Sequence, residues 1–207
     1  ARHRSPGSAC VRVLGPDAGG LPTAVGTVVE IITDDMPFLV DSVLAELGRE
    51  GHPVRLLVHP QPRVRRDDDG RLLAVVDDEA GGTLTESWIH LRIDPITDSG
   101  ARDRLGAALE RIVADVRAAV EDWAAMTRQA ERIAAHLREN PPALAGLAEV
   151  EDAADFLEWL TTGPFVFLGY REYTFNLTGD GAELASIPES GLGLLRKLEN
   201  SAYREPV

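Results

Sequence analysis

Apolar residues change their spacing several times along the chain, and each change marks an element. Residues 27–33, "TVVEIIT", are β-branched almost throughout and apolar at successive positions, the pattern of a central strand covered on both faces. Beyond the polar "DDMP", Leu39, Val40, Val43, Leu44 and Leu47 recur at helical spacing. A helix is expected there, with Asp35 as its cap, Pro37 in its first turn, and Gly48 and Gly51 at its stop. "HPVRLLVHPQPRV" alternates Val54, Leu56 and Val58 with polar neighbours, and "DDDGRLLAVVD" adds an Asp-Gly turn and a second extended run. Together they read as a hairpin with a long exposed arm, edge or bulged at Pro60 and Pro62, which lack the N–H a ladder needs. "SWIHLRI" at 87–93 places Ile89, Leu91 and Ile93 on one face and Trp88, His90 and Arg92 on the other.

From Ser99 to Glu139 the apolar positions Leu105, Leu109, Ile112, Val116, Ala119, Trp123, Met126, Ala130, Ile133 and Leu137 alternate steps of four and three, a heptad seam. At 1.5 Å per residue such a helix runs on the order of 60 Å, longer than a small sheet can cover. Part of it is therefore expected to meet another helix or a second subunit, and the 99–139 helix is the candidate surface for a homo-oligomer. "ENPP" ends it. A shorter helix with Val150, Ala153, Ala154, Leu157 and Leu160 is expected to fold back on it as an extended helical hairpin, followed by "FVFLGYREYTF", a Gly-Asp-Gly turn at 179–181 and a weaker partner, "AELASI".

In order, these elements make an α+β chain of the ferredoxin-like plan, βαββαβ, an antiparallel sheet with helices on one face. Spatial order 4-1-3-2 would put "TVVEIIT" and "SWIHLRI" in the middle. Residues 1–26, rich in Gly, Pro, Ser and Ala, form an extended lead-in whose "CVRVLG" is able to supply an edge strand. Residues 27–140 carry the main domain with its over-long second helix; residues 141–207, a helix and a β-hairpin, either complete the sheet or start a second domain.

Charge narrows the partners. With 34 acidic and 21 basic residues the formal charge is −13, which repels a phosphate backbone, so nucleic acid is not an expected partner. No apolar run is long enough to span a bilayer and no membrane partner is expected. Cys10 is the sole cysteine, which fits a reducing cytoplasm. The start at Ala1 and the polar end suggest a piece of something longer.

Chemistry-bearing patterns are sparse. "GLGLLR" at 191–196 opens like a dinucleotide fingerprint, but Arg196 stands at the third glycine and no buried strand precedes it, so a turn into a helix is the better reading. Histidines 3, 52, 59, 90 and 136 have no metal-ligand spacing, and no metal site is expected. His90 with Glu86 could make a small acid-base cluster, though a strand histidine more often packs. Asp67, Asp68 and Asp69 lack the loop pattern of a calcium site and read as a solvated hairpin tip.

"TDDMPFLVDSVLAEL" resembles the strand-to-helix turn of ACT domains, amino-acid-binding regulatory modules that typically carry Asp, a variable residue, Pro, Gly and two aliphatics there. Asp35, Met36, Pro37, Leu39 and Val40 match; Phe38 occupies the glycine position. The resemblance implies ligand-binding positions at Asp35, Met36, Phe38, Leu39 and Val40, and an amino-acid effector, with the Phe38 side chain able to fill the pocket. More widely, "TVVEIITDDMPFLVDSV", "VHPQ", "RDDDGRL", "ESWIHLRID", "DVRAAVEDWAAM" and "FVFLGYREYTF" together resemble the N-terminal region of the large bacterial NAD-specific glutamate dehydrogenases. That resemblance implies a non-catalytic ACT-like regulatory and assembly domain, cytoplasmic, partnered by the catalytic remainder of its parent chain. The parent would oxidise L-glutamate to 2-oxoglutarate and ammonium with NAD, a cofactor bound downstream and not by this segment.

Overall fold

A computed structural model of the chain describes residues 2–16, 26–77, 82–143, 146–163, 165–178, 181–196 and 202–206. The chain divides into two compact units, Ala1–Val116 and Arg117–Val207.

Unit 1 is built on β1 (Cys10–Leu14), β2 (Thr27–Asp34), α1 (Leu39–Arg49), β3 (Val54–Val58), β4 (Arg63–Arg66), β5 (Leu72–Val76) and β6 (Leu84–Ile93), followed by the start of α2 (Ser99–Glu139). The sheet runs β1-β2-β6-β4-β5, with β3 also on β6, and every pairing is antiparallel. β2 and β6 are central, as their apolar content predicts. The outer place beside β2, expected for a strand downstream of the long helix, is held by β1 of the lead-in, from Cys10 opposite Ile32 to Leu14 opposite Val28. Only residues 15–26 separate β1 from β2 in the chain, so pairing them costs less loop-closure entropy than returning a strand across the whole of α2.

Alternation decides which face of the sheet is covered. Val29 and Ile31 of β2 and Ile89, Leu91 and Ile93 of β6 are buried, as are Leu39, Val43 and Leu47 of α1 and Leu105, Leu109, Val113 and Val116 of α2. Each such side chain withdrawn from water contributes roughly 1.5–3 kcal/mol. The opposite face of β2 (Val28, Glu30, Ile32 and Asp34) is only half-buried, so the strand is central without being covered on both sides, contrary to its near-continuous apolar sequence. Glu30 and Asp34 are engaged in ion pairs there, which keeps that face polar.

Pro60 and Pro62 interrupt the arm as expected, yet their carbonyls still accept the N–H groups of Trp88 and Glu86, each at 3.0 Å. Residues 54–66 therefore follow the edge of β6 as one broken strand. Asp98 caps α2 by accepting the N–H groups of Gly100 at 3.3 Å and Ala101 at 2.8 Å.

Unit 2 holds the rest of α2, α3 (Leu147–Thr161), β7 (Gly169–Tyr170), β8 (Tyr173–Thr178), β9 (Gly181–Ser186), β10 (Leu192–Gly193) and β11 (Ala202–Pro206). β10 pairs with β7, and β11, β9 and β8 form a small antiparallel sheet; the Gly179–Asp180 part of the expected turn lies outside the described residues. Arg138 near the end of α2 pairs with Glu151 at 3.0 Å and Asp155 at 2.7 Å of α3. In α2 the seam residues Ala119, Met126 and Ala130 are buried as predicted, but Trp123 is exposed.

Candidate functional site

The junction between β2 and α1 is built differently from its sequence pattern. α1 begins at Leu39, and its N-cap is Phe38, at φ 68° and ψ −2°, with no side-chain cap. Asp35 and Pro37 therefore lie before the helix, not at its cap and in its first turn, because the left-handed residue at 38 delays the helical turn until Leu39. Ser42 N–H donates to the Phe38 carbonyl at 3.0 Å. Phe38 takes the backbone conformation that favours glycine, at about 1–2 kcal/mol for an L side chain, and its ring is 45% exposed. Phe38→Gly is expected to stabilise unit 1 by up to about 1 kcal/mol in urea unfolding, since glycine's own flexibility offsets part of the relief; a loss of stability would show that the ring's contacts outweigh the strain.

Asp35 uses its carboxylate to tie three segments together. Ser87 Oγ donates to Asp35 Oδ1 at 2.5 Å, Gln61 Nε2 donates to the same oxygen at 2.8 Å, and His59 Nε2 lies 3.0 Å from Ser87 Oγ. With the hydroxyl proton directed at the carboxylate, Ser87 accepts from His59. Serine thus sits between histidine and aspartate, the reverse of a nucleophilic arrangement in which the carboxylate orients the histidine and the histidine takes the serine proton. Ser87 is also fully buried, so the set acts as a latch from the β2–α1 turn to β6 and the 59–61 segment.

Beside this latch opens a cavity of about 440 Å³ lined by Asp35, Gln61, Pro62, Arg63, Val75, Val76, Asp77 and Thr85. Of the positions anticipated for a ligand, Asp35 lines it. Met36 and Val40 are half-buried, Phe38 is exposed and Leu39 belongs to the core, and none of these four lines the cavity. The remaining wall comes from Gln61 and Pro62, from Thr85 of β6 and from the β4–β5 hairpin, whose approach to the turn has no local signal in the sequence.

Glu86 and His90 do not form an acid-base pair. On one strand they are four residues apart, about 13 Å at strand rise, and each has its own partners. His90 Nδ1 faces Glu30 at 3.7 Å. Glu86 is fully buried, accepting from Arg4 Nε at 2.9 Å, Arg66 Nε at 2.7 Å and Trp88 Nε1 at 2.7 Å. Burial alone would raise its pKa, but the hydrogen bonds from Arg66, Trp88 and Arg4 bring it down to about 2, so at neutral pH it is a fixed anion with no proton to exchange. Arg4 also reaches Asp34 at 2.6 Å and the Ser8 carbonyl at 2.9 Å. Among the described residues no group of three or more His, Cys, Asp or Glu is placed to hold a metal ion.

Residues 1–109 match the model of the glutamate dehydrogenase ACT1 domain. The chain belongs to this ACT1 family. It is 35% identical to the NAD-specific glutamate dehydrogenase of Halomonas elongata over 95% of its length, 32% identical to that of Pseudomonas aeruginosa over 83%, and 28% identical to that of Mycobacterium tuberculosis over 98%. The matched region is 12%, 11% and 12% of those proteins, so the chain spans about an eighth of the curated relatives. The whole of β1 to β6, the Glu86 cluster and the Asp35 latch lie within the ACT1 match.

"GLGLLR" lies outside the ACT1 match, and its glycines have a packing role. Gly193 has φ 58°, a Cβ there would sit 2.3 Å from the Leu168 carbonyl oxygen, and its N–H donates to Asp122 Oδ2 at 2.7 Å. Gly191 is pressed against the Leu195 carbonyl. The motif is the short strand β10 followed by a turn rather than the turn into a helix its sequence suggested, and Arg196 reaches Asp122 at 2.6 Å.

Proposed function

We propose that this chain is a non-catalytic regulatory and assembly module of a large NAD-specific glutamate dehydrogenase, cytoplasmic, whose catalytic remainder binds NAD and oxidises L-glutamate to 2-oxoglutarate and ammonium. The observation that carries this reading is the ACT1 match on a chain that spans about an eighth of its relatives. The polar clusters of unit 1 support it, since Glu86 and Asp35 are spent on joining segments of the fold. Self-association through the 99–139 helix, on which Trp123 is exposed, is the assembly arm of the proposal. Deleting residues 1–207 from the full-length enzyme is expected to leave glutamate turnover measurable while changing oligomeric state, read by light scattering, or the response to effectors. An unchanged oligomer together with an unchanged response would overturn it.

The cavity at Asp35 favours a second reading, an amino-acid sensor. Its acidic and arginine-bearing walls suit a zwitterion, with Asp35 or Asp77 facing the ammonium and Arg63 the carboxylate. Here the full-length enzyme gives saturable heat with an amino acid other than its substrate L-glutamate, weakened at least tenfold by Asp35→Ala; no heat with any other common amino acid sinks the sensor reading alone.

A further inference from the structure

Unit 2 carries its large apolar side chains at its surface. Among its described residues the buried apolar ones are Ala119, Met126, Ala130, Ala134, Val150 and Ala154, most of them small. Phe156, Trp159 and Phe165 are 56%, 49% and 44% exposed. These rings form one surface, with centroids of Phe156 and Trp159 5.9 Å apart and those of Trp159 and Phe165 4.9 Å apart, edge to face at 67°. Val166 and Leu168, which follow Phe165 closely in the chain, are also exposed. Scattered exposed apolar residues are ordinary, but a continuous aromatic patch on a helix and the segment after it marks an interface. The acidic side of α3 is already engaged by Arg138, so the aromatic side is the one without a partner in the described structure.

We propose that this patch is the docking face for a segment of the same polypeptide lying outside these 207 residues, and this rests on the reading that the chain is one module of a large dehydrogenase. The length of the relatives supplies such a segment, because the matched region is only 12% of the Halomonas elongata protein. A tethered segment meets the patch at an effective concentration on the order of millimolar. A second copy meets the patch only at its free concentration, without that tether. The occupant is an apolar surface able to seat Trp159 between Phe156 and Phe165, with basic residues at its rim to meet the acidic surroundings.

The test is hydroxyl-radical footprinting of the full-length enzyme, using the 45% exposed Phe38 of the same chain as the internal reference. Oxidation of Phe156 and Phe165 at least fivefold slower than that of Phe38 is the expected result; equal rates overturn the proposal. Cross-linking a mixture of isotopically light and heavy full-length enzyme then reads the source of the cover. Cross-links from 147–168 within one isotopic form support a segment of the same polypeptide, and mixed light-heavy links there overturn it in favour of a second copy. Protection with no effect of deleting 1–207 on assembly or effector response sinks the regulatory reading alone, whereas a changed response without protection sinks the docking alone.

Discussion

Glu86→Gln is expected to lower the stability of unit 1 by about 3–5 kcal/mol, the range for removing one partner from a buried ion cluster. The amide carries no charge to balance the buried guanidinium groups of Arg4 and Arg66, and its NH₂ must face donors where the carboxylate oxygens accepted. Urea unfolding at pH 7, with a lowered midpoint and unchanged slope, is the measurement. Replacing the cluster by apolar residues together, as Arg4→Met, Arg66→Leu and Glu86→Leu, is expected to recover most of the loss, because no fully buried charge is then left unpaired and the half-buried Asp34, which loses Arg4, keeps the Gly7 N–H at 3.1 Å. A Glu86→Gln loss below about 1 kcal/mol would mean that water reaches the cluster. The pKa adds a pH signature. Glu86 in the folded chain titrates near 2 against an ordinary value of 4.5. A depressed folded-state pKa contributes stability that is complete above pH 4.5 or so and is lost as the pH falls from there through 2. At about 1.4 kcal/mol per unit the contribution is roughly 3 kcal/mol, and its pH dependence is expected to vanish in Glu86→Gln.

Gly70→Ala is expected to lower stability by about 2–4 kcal/mol, from the left-handed backbone and from a clash that cannot relax locally. Gly70 has φ 83°, and a Cβ there would lie 2.4 Å from the carbonyl oxygen of Arg4, whose N–H donates to the Gly70 carbonyl at 2.9 Å. The hairpin tip and the N-terminal segment are thus pressed backbone to backbone, with His3 bridged to Arg71 and Leu72 N–H on the Arg2 carbonyl at 2.9 Å. A methyl group at position 70 must push residues 2–5 away and pull Arg4 off Glu86. The losses in Gly70→Ala and Arg4→Ala are therefore expected to be less than additive in a double-mutant cycle, since either one opens the same clamp. Full additivity would show that the clamp survives the glycine substitution.

These effects lie where local reasoning reaches least. The β-branched run at 27–33, the alternation at 87–93 and the helical spacing from 39 and from 105 each act within a few residues of one another, so the sequence by itself determined β2, β6, α1, α2 and the central place of the two strands. The words around "DDMPFL" and "ESWIHLRID" were likewise enough to point to the family that the ACT1 match shows. The glycine position at Phe38 was legible too, and the structure gives its reason in a positive φ. Nothing local could say that Arg4 reaches Glu86, because a pairing between residues 4 and 86 depends on the sheet that brings them together. For the same reason the latch of Asp35, Ser87 and His59, the cavity wall from the 63–77 hairpin, and the choice of β1 as outer strand were decided only by the tertiary structure. Secondary structure follows from short-range sterics and periodicity, whereas the partners of buried charges and the order of strands follow from contacts summed over the whole sheet.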